Sequence, residues 1–192
     1  MARCRYCRQP YKPARMGQKC CLNLDCIILA GQARKAKEAA KQAKAERAAI
    51  RARKEAAKRP NTLKAEAQAA FNAYIRYRDL SAGHNCIDCD RPFEPQKPGG
   101  SVDAGHYLSR GSHPNLAFSE QNCFAQRKNC NRPGGTTATA FRLGVIDRIG
   151  LDAVEALESD TTPRRYRAED YRAIRDMYRG KLKALRQKNE DM

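Results

Sequence analysis

Nine cysteines and three histidines carry most of the metal and acid-base chemistry open to this sequence. The cysteines fall into two groups. In the first, Cys4-Arg5-Tyr6-Cys7 is followed by Cys20, Cys21 and Cys26. A Cys-x-x-Cys turn delivers two thiolates to one ion with little strain, and a second turn completes the tetrahedron that Zn²⁺ takes with sulfur ligands. Cys4, Cys7, Cys21 and Cys26 are the expected ligands, because the short Cys21 to Cys26 loop closes easily, with Cys20 the alternative third ligand. A redox pair is disfavoured, since no strand-helix pattern of thioredoxin type surrounds the motif. The second group is Cys86-Ile87-Asp88-Cys89 with Cys123 and Cys130. An ordinary return turn would carry a cysteine three residues before Cys130, where this chain has Arg127, so Cys123 is expected to supply the fourth thiolate to a second Zn²⁺. The alternatives are a three-ligand site completed by water, or a metal-free fold with Cys123 buried.

Between the halves of the second group lies Asp103-Ala104-Gly105-His106-Tyr107, and Asn122 and Asn131 flank the return turn. Imidazole titrates near neutrality and is the natural base for activating water. Asn131 offers a neutral amide oxygen to a hard cation such as Mg²⁺, which keeps several waters and needs few protein ligands. His84 and His113 have no such company and read as surface or core residues. Asn122 also suits a turn or helix cap, a role compatible with a catalytic one. Tyr107, Tyr166 and Tyr171 read as packing residues, with base stacking the alternative.

The elements that must position these residues differ sharply along the chain. Residues 1 to 31 read as a zinc knuckle. Residues 32 to 60 form a basic helical linker: positions 32 to 59 hold 11 Ala, 11 Lys or Arg, three Glu and neither Gly nor Pro, so helix propensity is high and almost no face is apolar. Lys41, Lys44, Arg47 and Arg51 on this helix, with Arg110 and Arg127 beyond it, are the candidate phosphate contacts; an inert solvated spacer is the alternative. Pro60 ends the helix, and an amphipathic helix follows from Leu63 to Leu80. Residues 61 to 135 should form the core that carries the second zinc and His106. Residues 136 to 192 should be helical, with two short helices broken near Gly150 and a last one from Ala168 to about Lys188.

The chain has 192 residues, 38 Lys plus Arg against 21 Asp plus Glu and a net charge of +17. Such an excess concentrates polyanions, nucleic acid above all. No apolar run is long enough to span a membrane, and Met1-Ala2-Arg3-Cys4 leads straight into cysteines, so a cytoplasmic protein with reduced thiols is expected.

Together these residues resemble the HNH, or ββα-metal, nucleases, whose pattern is a histidine ending a first strand and an asparagine nine residues before a residue that directly follows a cysteine. His106-Tyr107, Asn122-Cys-Phe-Ala-Gln126, Cys130-Asn131, Arg148-Ile-Gly150 and Glu158-Ser159 are similar to the lambdoid phage NinG (Rap) family, and the likeness covers nearly the whole chain. The resemblance implies an α-rich α+β protein with an N-terminal zinc knuckle, a long basic helix, a small zinc-stabilised ββα core and C-terminal helices. It implies an endonuclease that cuts branched DNA, such as four-way junctions and D-loops, with Mg²⁺, acting as a homodimer because paired incisions need two sites, in the host cytoplasm and alongside other phage or host recombination proteins. His106 would be the base and Asn131 a Mg²⁺ ligand, while Asn122 would hold the loop or orient His106. Enzymes of this type often carry an acidic ligand directly before the base; here that position is Gly105, which leaves Asp103 as the expected second ligand. Two other functions compete: a zinc-containing DNA-binding mediator with a degenerate pocket, and a nuclease of restriction or homing type acting on linear duplex.

Overall fold

The computed structural model describes residues 1–94, 96 and 101–191. Among the described residues it is a helix-rich α+β chain with five α-helices and two small sheets, and it divides into two compact units, Met1–Lys58 and Arg59–Met192.

In the first unit, β1 (Ala2–Arg3) pairs antiparallel with β2 (Pro10–Tyr11) around the Cys4 to Cys7 turn. The turn closes through Arg8 N–H to the Cys4 carbonyl at 3.0 Å and Cys4 N–H to the Gln9 carbonyl at 2.9 Å. Helix α1 (Leu24–Ala56) starts well before the basic stretch, because Asn23 caps it by accepting from Asp25 N–H and nothing in Leu24 to Leu29 interrupts it. Cys26 is its one buried residue among those described. At about 1.5 Å per residue the helix runs on the order of 50 Å, held by propensity rather than by a packed face, as its composition requires.

In the second unit, Pro60 opens α2 (Pro60–Ser81) as well as following α1, since a proline at the first helical position forfeits an N–H that has no partner anyway. Strands β3 (Val102–His106) and β4 (Cys123–Arg127) pair antiparallel, with His106 opposite Cys123 and Asp103 opposite Gln126. Side chains alternate across this hairpin, which is therefore covered on both faces. Cys123 joins Phe71 and Ile75 of α2 and Tyr178 of α5 (Ala168–Glu190) in one cluster. Phe124 joins Ile87, Phe141 and Val145 of α3 (Ala138–Ile149) and Val154 of α4 (Leu151–Ser159) in the other. Gly150, at φ +85°, breaks α3 from α4 where the sequence placed the break. Helices α2 and α5 pack together through Phe71 and Tyr178, with ring centroids 4.8 Å apart, and through Arg175 to Glu66 at 2.8 Å. The segments that composition divides at residue 135 thus share one body. Buried Asp79 at the end of α2 ties the layers: it accepts from Ala125 N–H at 2.6 Å and from Arg78 at 2.7 Å, with Arg148 3.9 Å away. No described helix is long and apolar enough to cross a membrane.

Candidate active site and metal centres

The sulfurs of Cys4, Cys7, Cys21 and Cys26 lie within 4.8 Å of one another, and Cys20 stands outside the group. The Cys21 N–H donates to Cys4 Sγ at 3.4 Å. Burial pushes the Cys4 thiol up, but main-chain N–H groups of Cys7, Cys21 and Tyr6 outweigh it and hold it at about 6. The Cys26 thiol is pushed up to about 12 by burial and by its neighbours. Four thiolates cannot all ionise beside one another without a cation, so this donor set fits a tetrahedral Zn²⁺.

The second cluster gathers Cys86, Cys89 and Cys130, again with sulfurs within 4.8 Å. Cys123 is not among them, which corrects the ligand expected from sequence. It begins β4, whereas the return turn starts at the other end of the strand, at Arg127, about 13 Å away at strand rise. Its sulfur instead lies fully buried, 3.6 Å from His106 Nδ1. Three thiolates suit Zn²⁺ with one position left to another donor. Arg127, a candidate phosphate contact by sequence, spends its guanidinium inside the protein, donating to the Pro92 carbonyl at 2.9 Å and to Glu94 at 3.2 Å.

His106 ends β3 on the wall of a cavity of about 760 Å³, also lined by Asn131, Arg110, Arg164, Arg165 and Tyr166. Its Nε2–H donates to the Ala117 carbonyl at 3.0 Å, which leaves Nδ1 as the basic nitrogen. Burial lowers the imidazole to about 4; the Ala117 carbonyl opposes this and the charge of Arg110 reinforces it. The ring is neutral at pH 7. Asn122, fully buried, holds the intervening loop: its Oδ1 accepts from Leu108 N–H at 2.8 Å, and its Nδ2 donates to the carbonyls of Leu108 and Leu116 at 3.0 and 3.2 Å. The carbonyl that fixes the imidazole is the next residue's, so Asn122 acts on His106 through the loop. Asn131 Nδ2 donates to Asp103 Oδ2 at 3.2 Å, which brings the two candidate Mg²⁺ ligands into contact.

Sequence reasoning missed two features. At Gly105 a Cβ would sit 2.0 Å from Gln126 Oε1, so a side chain before the histidine would have to displace the end of Gln126, which donates to Asp88. Arg164 and Arg165 enter the cavity from the coil before α5, far from His106 in sequence; the only hint is a pair of arginines after Pro163 outside any helical pattern. Arg142 pairs with Glu158 at 2.7 Å and Arg175 with Glu66 at 2.8 Å, yet Arg110, Arg164 and Arg165 have no carboxylate partner among the described residues. Lys41, Lys44, Arg47 and Arg51 are exposed on α1, the last three at helical spacing along one face. Tyr107 is half-buried against the core, hydrogen-bonded to Glu158 and packed on Phe141, whereas Tyr166 and Tyr171 line the cavity.

The chain is 38% identical over 121 residues to "Protein ninG" of Escherichia phage 933W, covering 63% of this chain and 57% of the relative. It is 38% identical to the protein of that name from Salmonella phage P22 and 37% to that of Escherichia phage lambda, in each case over 63% of this chain and 56% of the relative. The matched region thus spans little more than half the length of these relatives. No solved structure matches the chain. The family model described as "Bacteriophage Lambda NinG protein" matches residues 1–190, and the chain belongs to the NinG family.

Proposed function

We propose that this chain is a recombination endonuclease that cuts branched DNA, four-way junctions and D-loops among its substrates, by Mg²⁺-assisted hydrolysis. One observation carries the reading: a neutral imidazole, fixed by a main-chain carbonyl, shares a cavity with three arginines that have no carboxylate partner among the described residues. The order hairpin, return turn, helix, with His106 ending the first strand and Asn131 following Cys130, supports an HNH-like arrangement.

The residues divide the work as follows. Arg110, Arg164 and Arg165 hold the phosphodiester. His106 Nδ1 takes the proton of the attacking water while Nε2 stays on Ala117. Burial and Arg110 disfavour the imidazolium, and a phosphate held by the arginines supplies the negative charge that favours it. Asn122 keeps the loop in register. Asp103 and Asn131, in contact with each other, would hold Mg²⁺, which would stabilise charge on the phosphate and leaving oxygen. A homodimer would present two such sites to the two strands of a junction.

The test is His106→Ala on a synthetic four-way junction. Loss of a general base costs about 10² to 10⁴ in rate, and zinc content and junction affinity should stay nearly unchanged. Cutting at the wild-type rate would remove the nuclease from this cavity. A second reading, a DNA-binding recombination mediator without catalysis, is favoured by Gln126 standing over Gly105; it predicts junction binding with no cutting by the wild-type protein at any Mg²⁺ concentration.

A further inference from the structure

Beyond the arginines, the cavity holds an aromatic wall that phosphate chemistry does not use. Tyr166 and Tyr171 are stacked, with centroids 5.6 Å apart and ring planes 30° from parallel. Phe118 meets Tyr166 edge-on at 5.2 Å and 86°, and Tyr171 at 6.3 Å and 67°. The Tyr166 hydroxyl donates to the Asn115 carbonyl at 3.4 Å. Asn115 and Phe118 bracket Ala117, whose carbonyl fixes His106, so the aromatic wall and the imidazole are set by one short segment. The guanidinium of Arg164 lies over the Tyr166 ring at 5.0 Å, so the side of the ring facing Arg164 carries an exposed, movable side chain rather than core packing.

We propose that the cavity receives one unpaired nucleotide, its base stacked on Tyr166 in the place of Arg164 and its phosphate on Arg110, Arg165 and the displaced Arg164. The proposal rests on the nucleic-acid reading above and narrows it. In a continuous duplex each base is paired and stacked between its neighbours, so a ring set inside a cavity can reach a base only where the strand is splayed. A strand leaving a branch point offers such a base, and every base has a face to stack, so the subsite selects for structure rather than sequence. The arginines alone would bind the backbone of any duplex equally well.

The experiment uses the full chain without added Mg²⁺ and two DNAs of the same sequence, one forked with 2-aminopurine at the first unpaired position, the other a continuous duplex carrying the same base. Stacking on Tyr166 should quench 2-aminopurine on the fork and leave it unchanged in the duplex. Tyr166→Leu should abolish the quench and weaken fork binding by about tenfold, a typical share for one base on one aromatic ring, with duplex affinity unaltered and Tyr166→Phe retaining the quench. Arg165→Ala should weaken fork and duplex alike. If the wild-type protein binds forked DNA with no change in 2-aminopurine emission, yet cuts it once Mg²⁺ is added, the base subsite is overturned while the nuclease reading stands; if it binds neither DNA, both are overturned.

Discussion

The two thiol clusters begin with the same turn and end differently. In each, the residue after the second cysteine sits in the left-handed region, Arg8 at φ +64° and Asp90 at φ +50°. In each, that residue's N–H returns to the first cysteine's carbonyl at 3.0 Å. The parallel extends across the site: Cys21 N–H donates to Cys4 Sγ at 3.4 Å, and Arg127 N–H donates to Cys86 Sγ at 3.1 Å. Arg127 therefore stands in the second cluster where Cys21 stands in the first. The chain tolerates the lost thiolate in one place only, and the surroundings give the reason. The buried apolar residues described in the first unit are Cys4 and Cys26 themselves, whereas the second unit buries Phe71, Ile75, Phe124, Val145 and Val154. Where the ligands are the core, the metal must be complete; where a core exists already, it need not be.

The strongest way to break this comparison is Cys4→Ser. A structural zinc contributes on the order of 10 kcal/mol to a small domain that folds around it, so the variant should lose one metal equivalent and all amide protection in residues 2 to 23, with the melting of the second unit unchanged. Metal analysis with hydrogen exchange reads both. Cys86→Ser should also lose a metal equivalent, yet keep the second unit folded. If Cys86→Ser unfolds the whole second unit, the core there is not self-sufficient and the contrast fails.

Asp79→Asn tests the other half of the contrast. The carboxylate is almost fully buried against Arg78, Arg148 and the Ala125 N–H, and its loss as a charge weakens hydrogen bonds to a charged group, at a cost of about 2 kcal/mol, while Arg78 keeps the carbonyls of Glu120 and Cys123. Urea unfolding followed by circular dichroism should show that loss with zinc content intact. A loss below about 0.5 kcal/mol, the size of an ordinary surface substitution, would mean that metal rather than packing holds the second unit.

Arg127→Cys should complete the second site. Its main chain already occupies the position of Cys21, so the new thiol needs no rearrangement of the turn, although the links to Pro92 and Glu94 are given up. Zinc affinity, measured by competition with a chromophoric chelator, should rise by more than the roughly 10- to 100-fold that an outer-shell partner contributes. An unchanged affinity would show that the wild-type site finds its fourth donor elsewhere.

Much of this could be read before the structure because the signals are local. Cys4 to Cys7 and Cys86 to Cys89 announce their turns by spacing alone, Pro60 and Gly150 mark helix limits, and the Ala-rich run from 32 to 59 is a helix on propensity. The start of α1 is hidden in the sequence because composition changes near residue 32, while the cap that decides the boundary is Asn23. The features of the site that escaped are those that tertiary packing creates. Nothing in the order of residues links the coil bearing Arg164 to the loop after His106, or places Gln126 over Gly105. Cys123 shows the difference most directly: counting thiols assigned it to a metal, but pairing in the hairpin sets it opposite His106, at the wrong end of β4 for Cys130.

That misassignment yields the smallest expected effect and the finest test. Cys123 Sγ lies 3.6 Å from His106 Nδ1, and burial raises the thiol, keeping it protonated. A thiol is a weak donor, so it engages the Nδ1 lone pair only weakly and leaves the nitrogen basic. Cys123→Ser replaces it with a hydroxyl, which donates more strongly, and should slow junction cutting by less than about tenfold, the equivalent of one ordinary hydrogen bond of roughly 1 kcal/mol. Cys123→Ala removes the donor and should leave the rate at or above that of the wild type. Neither should alter zinc content, because three other sulfurs form the cluster. A fall in zinc for both variants would return Cys123 to the metal and give the second cluster four thiolates after all; equal cutting by Ser and Ala variants would separate Cys123 from the base and leave it as packing beneath Phe71.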